Sequence, residues 1–388
     1  MESALCAVSF VLSRRPRRRY MNKTTVKPKY KLFTPGPVQV PAYILRELSA
    51  KLVYHREEAF GDIYASVRKG LQKLLMTKNE VYVLTASGTG AMETAVANLV
   101  SPQDKVLAVI AGKFGERWRE LCIRFGAYVD SLTRPYGESV PPIEIERRLL
   151  ATDTIKCVFT TLTETSTGAL NDVKAFGEIC HRLNRILVVD AVAGIGADEL
   201  RTDAWNVDVV VGGSQKALAV PPGLSFISLS ERAWEMVAET KRTRYYFDLR
   251  AYRRFAAKGQ TPWTPAISLY YGLDAALKQI TKTGVVKYWK SHEQMAEFVR
   301  SSIRRLGLEL FPEKPSNALT VIRMPAGVDG SKLVEACKKE GFLFANGQAN
   351  LRGKIVRIGH MGPISKALMR RALLCFRKHF LKAAGRAS

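Results

Sequence analysis

Apolar and polar positions along the chain form blocks whose spacing predicts alternating strands and helices. Continuous apolar runs predict buried strands at 81–85, 105–110, 156–161, 186–189 and 207–211. Between them, apolar residues recur every three or four positions, which predicts helices that include 91–99, 115–125 and 173–184. This order is typical of an α/β fold with a mostly parallel sheet covered by helices on both faces. Ligands of such folds bind at the carboxyl ends of the strands.

The segments on either side of this block have different patterns. Residues 31–41, KLFTPGPVQVP, contain three prolines and predict an extended arm that lies across another part of the protein. Helices are predicted next, at 41–52 and 63–75. Toward the carboxyl terminus the pattern predicts helices at 266–280, 285–306, 330–339 and 366–383, and strands at 319–324 and 354–358. We therefore predict a basic, disordered extension at 1–30, a large domain that includes the arm at 31–280 and a small α+β domain at 281–388.

Length and charge narrow the class of protein. With 388 residues, 47% of them hydrophobic, the chain can bury a large core, and no apolar run approaches the roughly 20 residues of a membrane span. The net charge of +25 raises the alternative of a nucleic-acid-binding protein. Nine basic residues and no acidic residue lie within 14–31, whereas the clusters at 241–258 and 370–386 are predicted to be solvated helix faces. We expect no dedicated nucleic-acid partner and no membrane partner.

The amino-terminal segment and the cysteines indicate the cellular compartment of the protein. In residues 1–20 the arginines follow the apolar part, which is the wrong order for a secretory signal. We expect the folded protein to begin near Met21, with 1–20 disordered or dispensable.

The six cysteines include no CxxC pair and the five histidines no HExxH motif. Free thiols in a reducing, cytoplasmic compartment and no structural metal are therefore expected.

One lysine is the first candidate for chemistry. In 207–224, VDVVVGGSQKALAVPPGL, two glycines are expected to break the predicted strand, and Lys216 follows them among apolar neighbours. If this site is buried, the ammonium form loses solvation and the pKa falls. A neutral lysine amine is a nucleophile suited to Schiff-base formation with a carbonyl. A solvated loop lysine is the alternative at this point.

Three other positions suit the binding of charged groups. The turn at 86–90 opens a helix and presents Ser87, Gly88 and Thr89, which suit a phosphate, although an ordinary strand-to-helix turn would look the same. Asp190 ends an apolar strand, where a carboxylate either pairs with a cation or caps the next turn. Arg357 lies within a predicted strand, where it could bind a carboxylate in a cleft or form a surface ion pair.

Taken in order, these motifs resemble the class V aminotransferases among the fold-type I pyridoxal-phosphate enzymes. The motifs that carry the resemblance are TPGPVQVP, the Ser-Gly-Thr turn, STGAL, VVDAV, GSQKALAVPPG and VRIGHMG. The similarity runs from about residue 31 to about residue 376 and is greatest to the alanine–glyoxylate and serine–pyruvate branch. It implies a seven-stranded-type sheet with a small second domain, pyridoxal phosphate as cofactor, and ping-pong transfer of an amino group from alanine or serine to glyoxylate or pyruvate.

The resemblance also implies roles for individual residues. Lys216 matches the lysine that binds the cofactor and moves protons, and Asp190 matches the partner of the ring nitrogen. Arg357 matches the residue that binds the substrate carboxylate. The other implied cofactor contacts are Ser87, Gly88, Thr89 and Gln215 at the phosphate, Thr165 near the 3′ oxygen, Phe114 in place of a stacking tryptophan, and Thr264, with Thr261 as second choice, reaching the phosphate of a neighbouring subunit. A shared site implies a homodimer.

Three alternatives remain open at this level. The donor could be aspartate or another acidic amino acid, because a few pocket residues decide this preference. A cysteine desulfurase-like lyase would need a mobile catalytic cysteine and usually a histidine over the ring, whereas position 114 is phenylalanine. A basic binding protein without enzymatic activity should have lost Lys216 or Asp190, and both are present.

Overall fold

The structure is a computed structural model that describes residues 29–385. The expectations for residues 1–20 and for a start near Met21 lie outside the described residues. The described helices are α1 (Ala42–Leu48), α2 (Glu58–Leu75), α3 (Gly88–Leu99), α4 (Lys113–Arg124), α5 (Pro142–Ala151), α6 (Val173–Arg182), α7 (Glu231–Glu239), α8 (Leu249–Ala256), α9 (Ile267–Thr283), α10 (Val285–Arg304), α11 (Gly330–Lys339) and α12 (Lys366–Ala383).

The strands alternate with these helices as the apolar pattern predicts. They are β1 (Lys31–Leu32), β2 (Val81–Leu84), β3 (Lys105–Ile110), β4 (Tyr128–Thr133), β5 (Ile155–Thr161), β6 (Thr163–Glu164), β7 (Ala169–Leu170), β8 (Ile186–Asp190), β9 (Val209–Gly213), β10 (Ser225–Leu229), β11 (Leu319–Arg323), β12 (Phe342–Leu343), β13 (Ala345–Asn346) and β14 (Ile355–Gly359). Every strand and helix predicted from the pattern is present, with ends that differ by a few residues.

Seven strands form the central sheet, in the order β2-β10-β9-β8-β5-β3-β4. β10 pairs antiparallel with both of its neighbours, and the other pairings are parallel. Asp190 of β8 lies in register with Thr161 of β5 and Val211 of β9, so the carboxyl ends of three central strands are side by side. The predicted α/β fold with a mostly parallel seven-stranded sheet is confirmed.

Apolar side chains form separate clusters along the chain. The largest cluster runs from Ile44 to Ile280 and surrounds the central sheet. A second cluster consists of Phe33 and residues between 299 and 380, around the sheet of β11, β14 and β13. A third cluster contains residues from both parts, among them Ala217 and Leu319, and the predicted division into 31–280 and 281–388 stays a prediction.

The proline-containing arm is extended and crosses between the two clusters. β1 pairs parallel with β12, and Phe33 both donates to the Leu343 carbonyl at 2.8 Å and accepts from the Gly359 N–H at 2.7 Å. Farther along the arm, the Val38 N–H donates to the Gln215 carbonyl at 3.3 Å. The arm therefore connects the carboxyl-terminal sheet with the segment that follows β9.

The prediction that two glycines break the strand after Val211 is wrong. Gly212 and Gly213 belong to β9 and pair with Phe226 and Ser225 of β10. The Phe226 ring occupies the space where a side chain of residue 212 would stand. Glycine is therefore needed for close packing within the sheet, and a sequence pattern cannot separate this use from a turn.

The prediction of a solvated helix face at 241–258 is correct only for α8. Residues 241–248 form no helix, and the Arg244 side chain is only 3% exposed. Its guanidinium donates to the Ala97 carbonyl at 3.2 Å and to the Val237 carbonyl at 3.4 Å. Part of the positive charge therefore holds the fold together instead of facing solvent.

The elements that the pattern missed have mixed composition. They include the edge strand β4, whose residues are mostly only part-buried, and the helices α5 and α7. β10 was also missed, because the serines in SFISL interrupt the apolar run although all five residues are buried. Among residues 29–385, no helix combines the length and apolar character that crossing a bilayer requires.

Replacing Gly212 by alanine is expected to lower the free energy of unfolding by about 1–3 kcal/mol, because the added methyl group overlaps the Phe226 ring. Equilibrium urea denaturation measures the change. Gly61→Ala in α2 is the matched control, since its added carbon would meet only the Gly259 carbonyl, at 3.6 Å. Equal stability of the two variants would show that the glycine in β9 is not needed for packing.

Candidate active site

Most of the predicted site residues lie at the carboxyl edge of the central sheet, at or just after the ends of five strands. α3 begins at Gly88 after β2, and α4 begins at Lys113 after β3. Four more predicted residues follow or end β5, β8 and β9, and they are Thr165, Asp190, Gln215 and Lys216. The parallel register explains why residues far apart in sequence meet at one edge.

Lys216 is buried, with 9% of its surface exposed, and its Nζ donates to the Pro35 carbonyl at 2.6 Å. Gly36, with φ of 126°, lies directly against it, because a side-chain carbon there would stand 2.7 Å from Nζ. Burial lowers the pKa of Lys216 to about 8, opposed by the negative charge of Asp190. The solvated-loop alternative is excluded, and the arm covers the amine.

Asp190 is buried at the end of β8, where its Oδ1 accepts the Val192 N–H at 2.8 Å. Burial raises the pKa of Asp190 to about 6, and the Val192 hydrogen bond and the positive charges of Arg117 and Lys216 oppose the rise. Its Oδ2 accepts no hydrogen bond from the part of the chain that the structure describes. One carboxylate oxygen is therefore available to a cationic group.

The start of α3 forms a cluster of free donors. Ser87 precedes the helix and makes no side-chain capping hydrogen bond. Gly88 lies against the end of β8, since a side-chain carbon there would stand 2.7 Å from Val192 Cγ2. Together with the positive end of the helix dipole, the open start of α3 suits an anion. The Gln215 Oε1 is buried without a hydrogen-bond partner in residues 29–385, but as an acceptor this oxygen cannot itself bind an anion.

Arg357 of β14 reaches across to residues 162–168, the loop after β5, which includes the two-residue strand β6. Its Nη1 donates to the Thr165 carbonyl at 2.9 Å and its Nε to the Asn346 carbonyl at 2.8 Å. Burial lowers the pKa of Arg357 to about 10, and the charge of Glu164 opposes this. No described carboxylate lies within ion-pair distance, so the alternative of a surface ion pair is not met, and the guanidinium can still receive an anionic ligand.

The structure separates the two aromatic residues near the start of α4. Trp118 is fully buried, donates from Nε1 to the Thr160 carbonyl at 3.0 Å, and packs against Phe159. Phe114 is only half-buried, and the Arg117 guanidinium lies 4.7 Å from its ring centroid. Trp118 therefore belongs to the core, and Phe114 stays the predicted aromatic residue of the site.

Two predicted residues lie apart from this group. Thr261 is buried, and its hydroxyl donates to the Trp263 carbonyl at 2.8 Å. Thr264 is exposed, near the point where the Ala266 N–H donates to the Thr85 hydroxyl at 3.2 Å. Neither side chain bonds to the buried group within its own chain, so their predicted contact with a neighbouring subunit stays a prediction.

Sequence reasoning gave no role to Arg117 and Glu164. Arg117 donates to the Thr89 hydroxyl at 3.0 Å and its charge acts on both Asp190 and Lys216. Its spacing of three residues from Phe114, on one helix face, is the signal that could have found it. Glu164 is a carboxylate with no exposed surface, next to Thr165, which the resemblance assigns to the cofactor.

The expectation of no structural metal stays a prediction. Within residues 29–385, Glu340, Cys375 and His379 place potential ligand atoms within 4.8 Å of one another. The Lys378 ammonium bonds to the same Glu340 carboxylate at 2.7 Å. That carboxylate already has a cationic partner.

Comparisons with known proteins cover nearly the same stretch as the motifs. A family model described as "Aminotransferase class-V" matches residues 42–370. The chain is 38% identical to the soluble hydrogenase 42 kDa subunit of Anabaena cylindrica, over 87% of this chain and 89% of that protein. It is 34% identical to the L-aspartate–glyoxylate aminotransferase of Paracoccus denitrificans, over 87% of each. The crystal structure of an alanine–glyoxylate aminotransferase from Nostoc sp. has a TM-score of 0.88 and 28% identity, and covers 96% of this chain and 100% of that one.

The Lys216 amine is expected to react in the cofactor-free protein with a midpoint near its pKa of about 8. Removing the negative charge in Asp190→Asn disfavours the ammonium form, so the midpoint should move to lower pH. The measurement is the rate of modification by an amine-selective reagent against pH, read at the Lys216 peptide by mass spectrometry. Exposed Lys51 serves as internal reference. A midpoint at the ordinary lysine value of 10.5 would contradict the burial argument.

Proposed function

The chain belongs to the class V aminotransferases, which move an amino group from an amino acid to a 2-oxo acid, and we propose that its donor is alanine or serine and its acceptor glyoxylate or pyruvate. The family is generally dependent on pyridoxal phosphate, and we propose the same cofactor here. The observation that carries the proposal is the buried Lys216 amine, with its lowered pKa, beside the buried carboxylate of Asp190.

The donors and acceptors at the sheet edge fit the two charged ends of the cofactor. Ser87, Gly88 and Thr89 at the start of α3 would hold the phosphate, together with the side-chain amide of Gln215, whose nitrogen would donate to it. The free Oδ2 of Asp190 would accept from a protonated ring nitrogen. Thr165 would bond the 3′ oxygen, and Phe114 would stack on the ring.

When bound, pyridoxal phosphate supplies a carbonyl carbon that takes up the amino group and a ring that accepts the electron pair of the Cα–H bond. Lys216 releases the proton that burial makes labile, and its neutral amine then takes the proton from the substrate Cα and passes it on. The Asp190 carboxylate keeps the ring nitrogen protonated. The same residues act in reverse order on the acceptor, which makes the reaction ping-pong.

The arm supports a small substrate. Pro35 and Gly36 lie directly on the Lys216 side chain, which leaves little room above the reacting amine. Arg357 would bind the α-carboxylate with the guanidinium atoms that the Thr165 and Asn346 carbonyls leave free. Aspartate as donor is the competing candidate, favoured by the relative from Paracoccus denitrificans.

A cysteine desulfurase-like lyase fits the site less well. The five cysteines at positions 122–375 are all buried, and none lies in the loops around Lys216. The proposed aromatic residue of the site is Phe114, where such lyases usually have histidine.

Buried free thiols support our proposal of a cytoplasmic location.

A homodimer with shared sites is the proposed assembly. Tyr245 is 77% exposed and Tyr246 41% exposed, and the Trp263 ring stacks on Tyr246 with 6.0 Å between centroids. An exposed aromatic cluster of this kind is typical of a protein interface. It borders the exposed Thr264, which supports the proposal that this loop reaches the phosphate of a second copy.

A panel of amino donors and 2-oxo acids tests the proposed function. The expected result is turnover of alanine or serine with glyoxylate or pyruvate, and loss of all turnover in Lys216→Ala with an unchanged circular dichroism spectrum. Normal turnover in that variant would refute the role of the lysine. Turnover of aspartate alone would identify the competing donor.

Mixed dimers test the shared site. Thr264→Ala is expected to weaken cofactor affinity about tenfold through loss of a bond to a charged group, and Lys216→Ala is expected to be inactive. If Thr264 acts across the interface, subunit exchange between the two variants creates sites with Lys216 from one chain and Thr264 from the other. Such a mixture should regain activity at low cofactor concentration. A mixture with only the weak affinity would place Thr264 in its own chain's site.

A further inference from the structure

We propose that Glu164 is a positioning residue that orients two walls of the site at once, Phe114 on one side and Arg357 on the other. The inference rests on the proposed function, because it concerns how the same site is held. It starts from a buried carboxylate that the chemistry above does not use. Glu164 has no exposed surface and no ion-pair partner among the described residues.

The Glu164 carboxylate is held by four donors. Its Oε2 accepts the N–H groups of Phe114 at 2.9 Å and Gly115 at 3.1 Å. Its Oε1 accepts the Ser166 N–H at 3.1 Å and the Ser166 hydroxyl at 2.5 Å. A buried charge costs stability unless such bonds satisfy it, and these bonds also fix its orientation.

The first two contacts serve as the cap of α4. Gly112 stands at the capping position and has no side chain to accept the N–H groups that begin the helix. Its missing side chain also makes room, because a carbon there would stand 2.5 Å from Glu164 Cγ. The Ser166 hydroxyl accepts the Lys113 N–H at 3.0 Å. The loop after β5 therefore caps α4, and the negative charge of Glu164 suits the positive end of the helix.

This cap determines where the Phe114 ring stands. Phe114 is in the first turn of α4, and its own N–H is one of the two that Glu164 accepts. A first turn without its cap frays, and the ring moves with it. The wall that would stack on the cofactor therefore depends on one carboxylate from another strand.

The second wall is connected through the next residue. The Thr165 carbonyl accepts from Arg357 Nη1 at 2.9 Å, so the orientation of the loop sets the position of the guanidinium. The charge of Glu164 also favours the charged form of Arg357, against the burial that lowers its pKa. One side chain thus links a cofactor-facing ring to a substrate-facing guanidinium.

The variant Glu164→Gln keeps the size of the side chain but places amide hydrogens against N–H donors. The expected result is a rise of about tenfold or more in the KM for the amino donor and in the apparent Kd for pyridoxal phosphate, since two bonds to a charged acceptor are lost. The affinity is measured by quenching of intrinsic tryptophan fluorescence during titration of the cofactor-free protein. It needs no turnover.

Asp208→Asn is the matched control. Asp208 is also a buried carboxylate that accepts a backbone N–H, of Leu187 at 3.0 Å, and a hydroxyl, of Ser230 at 2.8 Å. Unlike Glu164 it has an arginine, Arg232, within ion-pair distance at 3.6 Å, and it lies at the amino end of β9. This variant should lose stability in urea denaturation while KM and Kd stay within about twofold of the wild-type values. A Glu164→Gln protein that behaves in the same way would overturn the proposal.

A second variant covers the case in which Glu164→Gln does not fold. Ser166→Ala removes one donor to Glu164 Oε1 and the acceptor for Lys113, and leaves the charge in place. We expect the same two constants to rise by a smaller factor, and unchanged constants would overturn the proposal. A wild-type protein that binds the cofactor but turns over no donor would refute the proposed function alone, because the affinity still tests Glu164.

Discussion

The burial of charged groups at the carboxyl edge of the sheet is the constraint on which the rest of the site depends. Lys216, Asp190, Glu164 and Arg357 are all nearly inaccessible to solvent, and no two of them form an ion pair within 4 Å. Most of their hydrogen bonds go to backbone groups, which cannot move away as a side chain would. Main-chain dipoles offset much of the cost of removing these charges from water, and Lys216, Asp190 and Arg357 each keep one side free for a ligand.

The arm and the loop after β5 are what make this burial possible. The arm is fixed at one end by β12 and β14 and at the other by the Gln215 carbonyl, so Pro35 stands at a defined place above Lys216. The loop after β5 is fixed to α4 by Glu164 and to β14 by Thr165. Both segments contact the central sheet and the carboxyl-terminal sheet. The geometry of the site therefore depends on how the two sheets are positioned relative to each other.

Much of the fold and of the site could be predicted because its signals are local. Apolar runs and helical spacing are properties of neighbouring residues, and the motifs around Lys216 and Asp190 stand at strand ends that those runs locate. The missed features depend on distant partners. Gly212 is explained only by the Phe226 ring on the adjacent strand, and the choice between Phe114 and Trp118 needs the burial of each side chain. Nothing within the spacing of TETST indicates that its glutamate caps a helix that begins 51 residues earlier, at Lys113.

The hydrogen bonds and ring contacts of individual arginines limit which of them can be replaced by another basic residue. Arg244 spreads its guanidinium over several backbone carbonyls, and the Arg117 guanidinium lies 4.7 Å from the Phe114 ring centroid while it donates to the Thr89 hydroxyl. A lysine carries the same charge but has neither the planar group nor the forked donors. Exchanging arginine for lysine would therefore be neutral on the exposed face of α12 and disruptive at these two positions.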